Sequence, residues 1–199
     1  MLIQALRIAL SIMFFRAGPQ DMPYDQGPRL TRSCALLAAV VYALFWANFA
    51  PPLAAVVLAA MMVSVIGVTT RAVLTMRKLE NRFQQTYNAI MLSGTMLVLA
   101  ALPVLAIIAP PLIDYLQHNL QDPKLANHPE QWPDLPEVSE GAALLFDLLM
   151  LWLFVVSARI YGQSIDAGVF GGVLITLLAL SAIMLGLIFV SPLVNLLAG

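Results

Sequence analysis

Charge is scarce in this chain. Asp, Glu, Lys and Arg make up 11% of it and hydrophobic residues 61%, where a soluble domain carries about 25% charged residues. A soluble fold of this composition would turn large apolar patches to water, whereas a helical bundle in a bilayer is meant to be apolar outside. Net charge is −1, so no basic surplus points to nucleic acid. The single cysteine, Cys34, cannot close an internal disulfide and reads as a small residue of a membrane helix. The chain has no HExxH or CxxC, no glycine-rich phosphate loop, no nucleophile elbow and no Ser/His/Asp order. No enzyme motif and no cofactor site is therefore expected.

Apolar runs are what the chain does have. They predict an all-α polytopic bundle of five spans, at about 33–50, 53–70, 89–109, 141–158 and 169–197. The diproline Pro51–Pro52 makes a tight hairpin between the first two, and Pro110–Pro111 is read as the stop of the third. Pro103 and Pro192 predict kinks. Residues 1–32 form a separate region. Gln4, Arg7 and Ser11 share one helical face, with Leu2, Ile3, Leu6, Leu10 and Met13 on the other. This pattern predicts an amphipathic helix lying in the membrane plane, with packing against the bundle as the alternative.

Basic residues set the orientation. Arg7, Arg16, Arg29, Arg32, Arg71, Arg77, Lys78, Arg82 and Arg159 fall on one side of a five-span arrangement and only Lys124 on the other. By the positive-inside rule the N-terminus is cytoplasmic and the C-terminus lies across the membrane. The expected outer loop, 110–140, sets Lys124 against Asp114, Asp122, Glu130, Asp134, Glu137 and Glu140. On the inside, Ala72, Met76, Leu79, Phe83 and Tyr87 recur at helical spacing. They predict a basic amphipathic helix over 71–87 carrying Arg71, Arg77, Lys78 and Arg82, suited to anionic lipid or a partner, or else a plain extension of the second span.

Small residues offer packing surfaces, which membrane helices need in place of a hydrophobic drive. The expected ladders are Ala35, Ala39, Ala43 and Ala47 in the first span and Ala55, Ala59 and Gly67, flanked by Ala60 and Ser64, in the second. In the last span they are Gly168, Gly171 and Gly172, with Ala182 and Gly186 further along. Such faces serve packing within the chain or a homo-oligomer.

Few residues suggest chemistry. Asp147 is the one acid inside a predicted span, so it is expected to face protein in a polar cluster with Asn48, Ser191 and Asn195. It is then either a helix–helix tie or an ion- or proton-handling group. Asp114 and His118 are four apart, with His128 and Glu130 beyond them, but the spacing fits no zinc pattern and reads as a wet acidic loop. In the N-terminal loop, Asp21 and Asp25 lie among Arg16, Arg29 and Arg32. An ordered loop is expected there, with one of the two carboxylates on an arginine of this segment or of 71–87.

That loop also carries a resemblance. Residues 16–25 read R-A-G-P-Q-D-M-P-Y-D, spanning Arg16, Gly18, Pro19, Gln20, Asp21, Pro23, Tyr24 and Asp25. This resembles an R-x-G-P-Q-D-(L/M)-P-Y motif of small bacterial inner-membrane proteins grouped with the Yip family. Asp25-Gln26-Gly27-Pro28 is similar to the D-L-x-G-P element before that family's first span. Tyr161-Gly162-Gln163-Ser164 is similar to its Y-G-Y-S element, although it precedes the last span here. The resemblance implies a five-span inner-membrane protein with a cytoplasmic N-terminus that acts as a scaffold, adaptor or accessory subunit beside a membrane-protein partner. A transporter or channel component using Asp147 is the alternative.

Overall fold

The computed structural model describes residues 1–25, 27–121 and 132–198. Among these the chain is helical throughout. The helices are α1 (Leu2–Met13), α2 (Arg29–Trp46), α3 (Pro52–Met76), α4 (Phe83–Gln121), α5 (Glu140–Ser164) and α6 (Gly168–Ala198), with short 3-10 turns at Pro19–Asp21 and Glu80–Arg82. The last five are long and apolar enough to cross a membrane, and the protein is a multi-pass membrane bundle.

α4 is its axis. Every residue from 86 to 95 is buried, the polar Thr86, Asn88, Ser93 and Thr95 included. α1, α2, α3 and α5 pack around it, and α6 closes against α3 and α5. One end of the bundle gathers the 14–28 loop, the α3–α4 turn and the α5–α6 turn. It is called the basic end here. At the acidic end, Phe45 of α2 and Phe146 of α5 pack on Leu105, Ile108 and Ala109 of α4.

Local chemistry sets the helix boundaries. Pro52 opens α3 at a position whose amide needs no partner. The Ser139 hydroxyl accepts from the Ala142 amide and caps α5. At the basic end α1, α3 and α5 stop in the same way. Each is followed by a left-handed residue that is not glycine: Phe15, Lys78 and Asp166. In each case the next amide reaches back to a carbonyl of the last turn, Arg16 to Ser11, Leu79 to Leu74 and Ala167 to Gly162.

Two expectations about the elements change. α4 does not stop at Pro110–Pro111 but runs through both prolines, and through Pro103, to Gln121. A freed carbonyl costs less than an unravelled backbone in an apolar setting; Ile113 packs in the Leu105 cluster and the Tyr115 hydroxyl donates to the Pro133 carbonyl, which holds the extension to its surroundings. Residues 71–87 form no single basic helix; the alternative, an extension of the second span, holds as far as Met76. α3 extends to Met76, Lys78 turns the chain, and a 3-10 turn leads into α4. The apolar spacing there belongs to two helix ends, with Tyr87 in the core.

α1 buries Ala5, Ala9, Ile12 and Met13, while Ile3 and Leu10 stay exposed. The face of Ala5, Ala9, Ile12 and Met13 packs on the bundle, chiefly on α4, the packing alternative in a form the polar spacing did not specify.

Small residues do carry the close approaches, in part at other positions. On α2 the buried line is Leu30, Cys34, Ala38 and Val41, one step before the Ala35 ladder; Ala35, Ala39 and Ala43 flank it and Ala47 is exposed. On α3, Ala55 and Ala59 are buried. A β-carbon on Gly172 would run into the Ala158 carbonyl, and one on Gly162 into that of Gly168. These two glycines let α5 and α6 touch backbone to backbone. Further along α6, Gly186 seats the Met61 sulfur of α3.

Candidate functional site at the basic end

The 16–25 segment is a strap folded under the bundle. Asp21 Oδ2 accepts from the Gly18 amide at 2.8 Å, closing the 3-10 turn. Pro19 and Met22 are buried. Gln85 of α4 donates from Nε2 to the carbonyls of Gln20 (3.0 Å) and Met22 (3.2 Å). Asp25 accepts from the Gly27 and Leu30 amides, so it caps the start of α2. The strap takes a hydrogen-bonded form, but neither carboxylate meets an arginine among the described residues. Free amides lie closer at hand in a tight turn than a long cationic side chain, and a charged acceptor on an amide is a strong pairing.

The arginine of this region finds another acid. Arg82 Nη1 donates to Asp166 Oδ2 at 2.8 Å and to the Ser164 carbonyl at 3.0 Å. The Thr86 hydroxyl donates to Ser164 Oγ at 2.9 Å. Together with Pro19, Gln20, Gln85 and Gln163 these side chains line a cleft of about 370 Å³. Gln163 Oε1 is buried there without a hydrogen-bond partner.

On the strap's other side, Tyr24 is exposed and lines a second cleft with Arg71, Thr75, Glu80 and Gln84. Arg77 and Lys78 are exposed at the end of α3. Arg16 is exposed at the strap's start.

Arg159 supplies a tie that its place in the sequence did not announce. Its guanidinium lies 4.6 Å from the Phe15 ring centroid and its Nη2 donates to the Phe15 carbonyl at 3.0 Å. The Phe15 ring also packs on Trp152 at 5.1 Å. α5 thus holds the C-terminus of α1. The four residues 161–164 divide their roles: Tyr161 shares a hydrogen bond with Thr70 at 3.0 Å, Gly162 admits α6, and Gln163 and Ser164 face the first cleft.

No family model, curated protein or solved structure matches the chain.

The protein does not assemble the polar cluster expected around Asp147. Asp147 is exposed on the outer surface of α5, with no ion pair or hydrogen bond among the described residues. Asn48 donates to its own helix, at Leu44 and Phe45. Ser191 is exposed, and the Asn195 side chain lies outside the described residues. Asn48 caps its own helix end, which leaves it nothing for Asp147. Asp114 and His118 do align on α4 and are both exposed, while His128 and Glu130 fall outside the described residues. No three His, Cys, Asp or Glu side chains among the described residues gather where they could hold a metal.

Proposed function

We propose that the protein is a non-enzymatic scaffold or accessory subunit of a bacterial inner-membrane complex, Yip-like in character, with the basic end in the cytoplasm. One observation carries the reading. The two segments that bear the resemblance, 16–25 and 161–164, lie far apart in sequence, yet Gln20 of one and Gln163 and Ser164 of the other line the same polar cleft. The cleft offers amides, hydroxyls and an Arg82–Asp166 pair. Such groups recognise a polar peptide surface by hydrogen bonding. The strap's own acids are consumed in holding its shape, which favours a built docking surface over a reactive one. Asp147, outward on α5, gives the transport alternative no lined pathway. Anionic lipid beside Arg71, Arg77 and Lys78 is compatible with this orientation.

The test places a photo-crosslinking residue at Gln20, at Gln163 and, as a control, at the exposed Phe170, in cells expressing the protein at native level. The reading expects one discrete protein adduct shared by Gln20 and Gln163 and absent at Phe170. Adducts to lipid alone at all three positions would remove the scaffold reading.

A further inference from the structure

Between the helices lies a second kind of space. A cavity of about 290 Å³ is walled by side chains from five helices, among them Tyr42 of α2, Met62 of α3, Gly94 of α4, Leu153 of α5 and Ala179 of α6. Pockets for small ligands begin at roughly this size. Its origin is in the packing described above. α5 and α6 touch backbone to backbone only where Gly162 and Gly172 allow it, at the basic end. Further along, α6 is seated on α3 through Gly186, while Phe146 of α5 packs on α4. The cavity fills the space between these two attachments. Leu180 forms part of its wall and is 42% exposed, so the cavity opens sideways at the surface that faces lipid.

The wall is apolar except for four hydroxyls. Two are occupied: Tyr161 pairs with Thr70, and Thr176 donates to the Gly172 carbonyl at 2.9 Å. Two are not. Tyr42 and Ser157 line the cavity, and neither hydroxyl has a hydrogen-bond partner among the described residues. Tyr42 is only 5% exposed, and a β-carbon on Gly94 would lie 2.6 Å from its oxygen. Glycine at 94 is therefore what leaves room for this hydroxyl. A buried hydroxyl left unpaired is costly, which points to a group that completes it.

Depth restricts what that group is. The Tyr42 oxygen lies against Gly94, eleven residues into α4 from Phe83, roughly 17 Å along it at 1.5 Å per residue. That is well inside a hydrocarbon layer about 30 Å thick. Phospholipid headgroups and their esters stay at the interface and do not reach it. An uncharged oxygen on a long apolar chain does.

We propose that this cavity is a binding site for a neutral lipid, an acyl or isoprenoid chain bearing one uncharged hydroxyl or carbonyl, which enters sideways from the bilayer and hydrogen-bonds Tyr42. The proposal is independent of docking at the basic end.

The experiment uses the full-length protein in phosphatidylcholine nanodiscs and a diazirine-bearing hexadecanol as probe. Saturable labelling is expected on peptides covering residues 150–183, displaced by unlabelled hexadecanol and at least several-fold less well by hexadecane. Tyr42→Phe keeps the ring and removes only the oxygen. It should weaken displacement by hexadecanol about fivefold, the loss for one uncharged hydrogen bond, and leave hexadecane unchanged. Ala179→Phe fills the cavity and should abolish labelling; because it also strains packing, Tyr42→Phe carries the decision. Labelling that does not saturate, hexadecane displacing as well as hexadecanol, or an unchanged Tyr42→Phe variant would each overturn the proposal.

Discussion

Asp147 stands seven residues into α5 from Glu140, about 10 Å along the helix, and turns outward among exposed Leu144, Leu148 and Leu151. An aspartate near mid-membrane costs about 2.5–3.5 kcal/mol on insertion scales, less toward the interface. With no internal partner to lose, Asp147→Leu should leave the folded protein as stable as before and ease insertion of α5. Thermal melting in detergent and an insertion assay on α5 read the two effects; a melting loss as large as that of a core substitution would show a partner inside the fold. Arg159 is the opposite case. Its guanidinium stacks on Phe15 and donates to the Phe15 carbonyl. Arg159→Ala should cost about 1–3 kcal/mol, the range for a charged hydrogen bond with a cation–π contact. Arg159→Lys should recover only part, because an ammonium lacks the planar fork. Chemical unfolding of the three proteins in one detergent checks both statements.

The helix ends at the basic end are strained in one respect. Phe15, Lys78 and Asp166 hold left-handed backbone without being glycine. Lys78 is exposed and its side chain makes no described contact, so Lys78→Gly removes the strain and little else. It should stabilise the protein by about 1 kcal/mol, read as a shift in the unfolding midpoint; destabilisation would mean that the lysine does more than cap. These caps also explain what the sequence did and did not disclose. The five long helices were legible because 18-residue apolar windows are a strong signal, and the Pro51–Pro52 hairpin because α2 ends just before it. Pro110–Pro111 misled, since an apolar environment preserves helix through prolines that would end one in water. The 71–87 periodicity misled because two helices separated by a left-handed residue kept an apolar rhythm across the break. The cleft was not legible, because Gln20 and Gln163 meet only through tertiary packing. Asp166, an acid within a turn at the end that holds most of the arginines, was the one available hint to the Arg82 pair.

For the protein as a whole, the segregation of nine basic residues to one end leads to a topological expectation. A reporter active only outside the cytoplasm should work when fused after Gly199 and fail when inserted near Asn81. The reverse result would turn the bundle over and place the strap, the cleft and Arg82 outside. It would also end the scaffold reading as stated, because a docking surface for a cytoplasmic partner would then face away from it.

The Arg159–Phe15 tie has a consequence for biogenesis. α1 leaves the ribosome before α4 and α5, yet its alanine face packs on α4 and the Phe15 carbonyl just past its end takes an arginine of α5. α1 is thus seated by helices made after it, and the strap that follows it lacks its ties until α4 supplies Gln85. Docking of α1 therefore acts as a signal of completion: a chain truncated after Gln121 should keep its first residues open to protease, and full-length chain should close them.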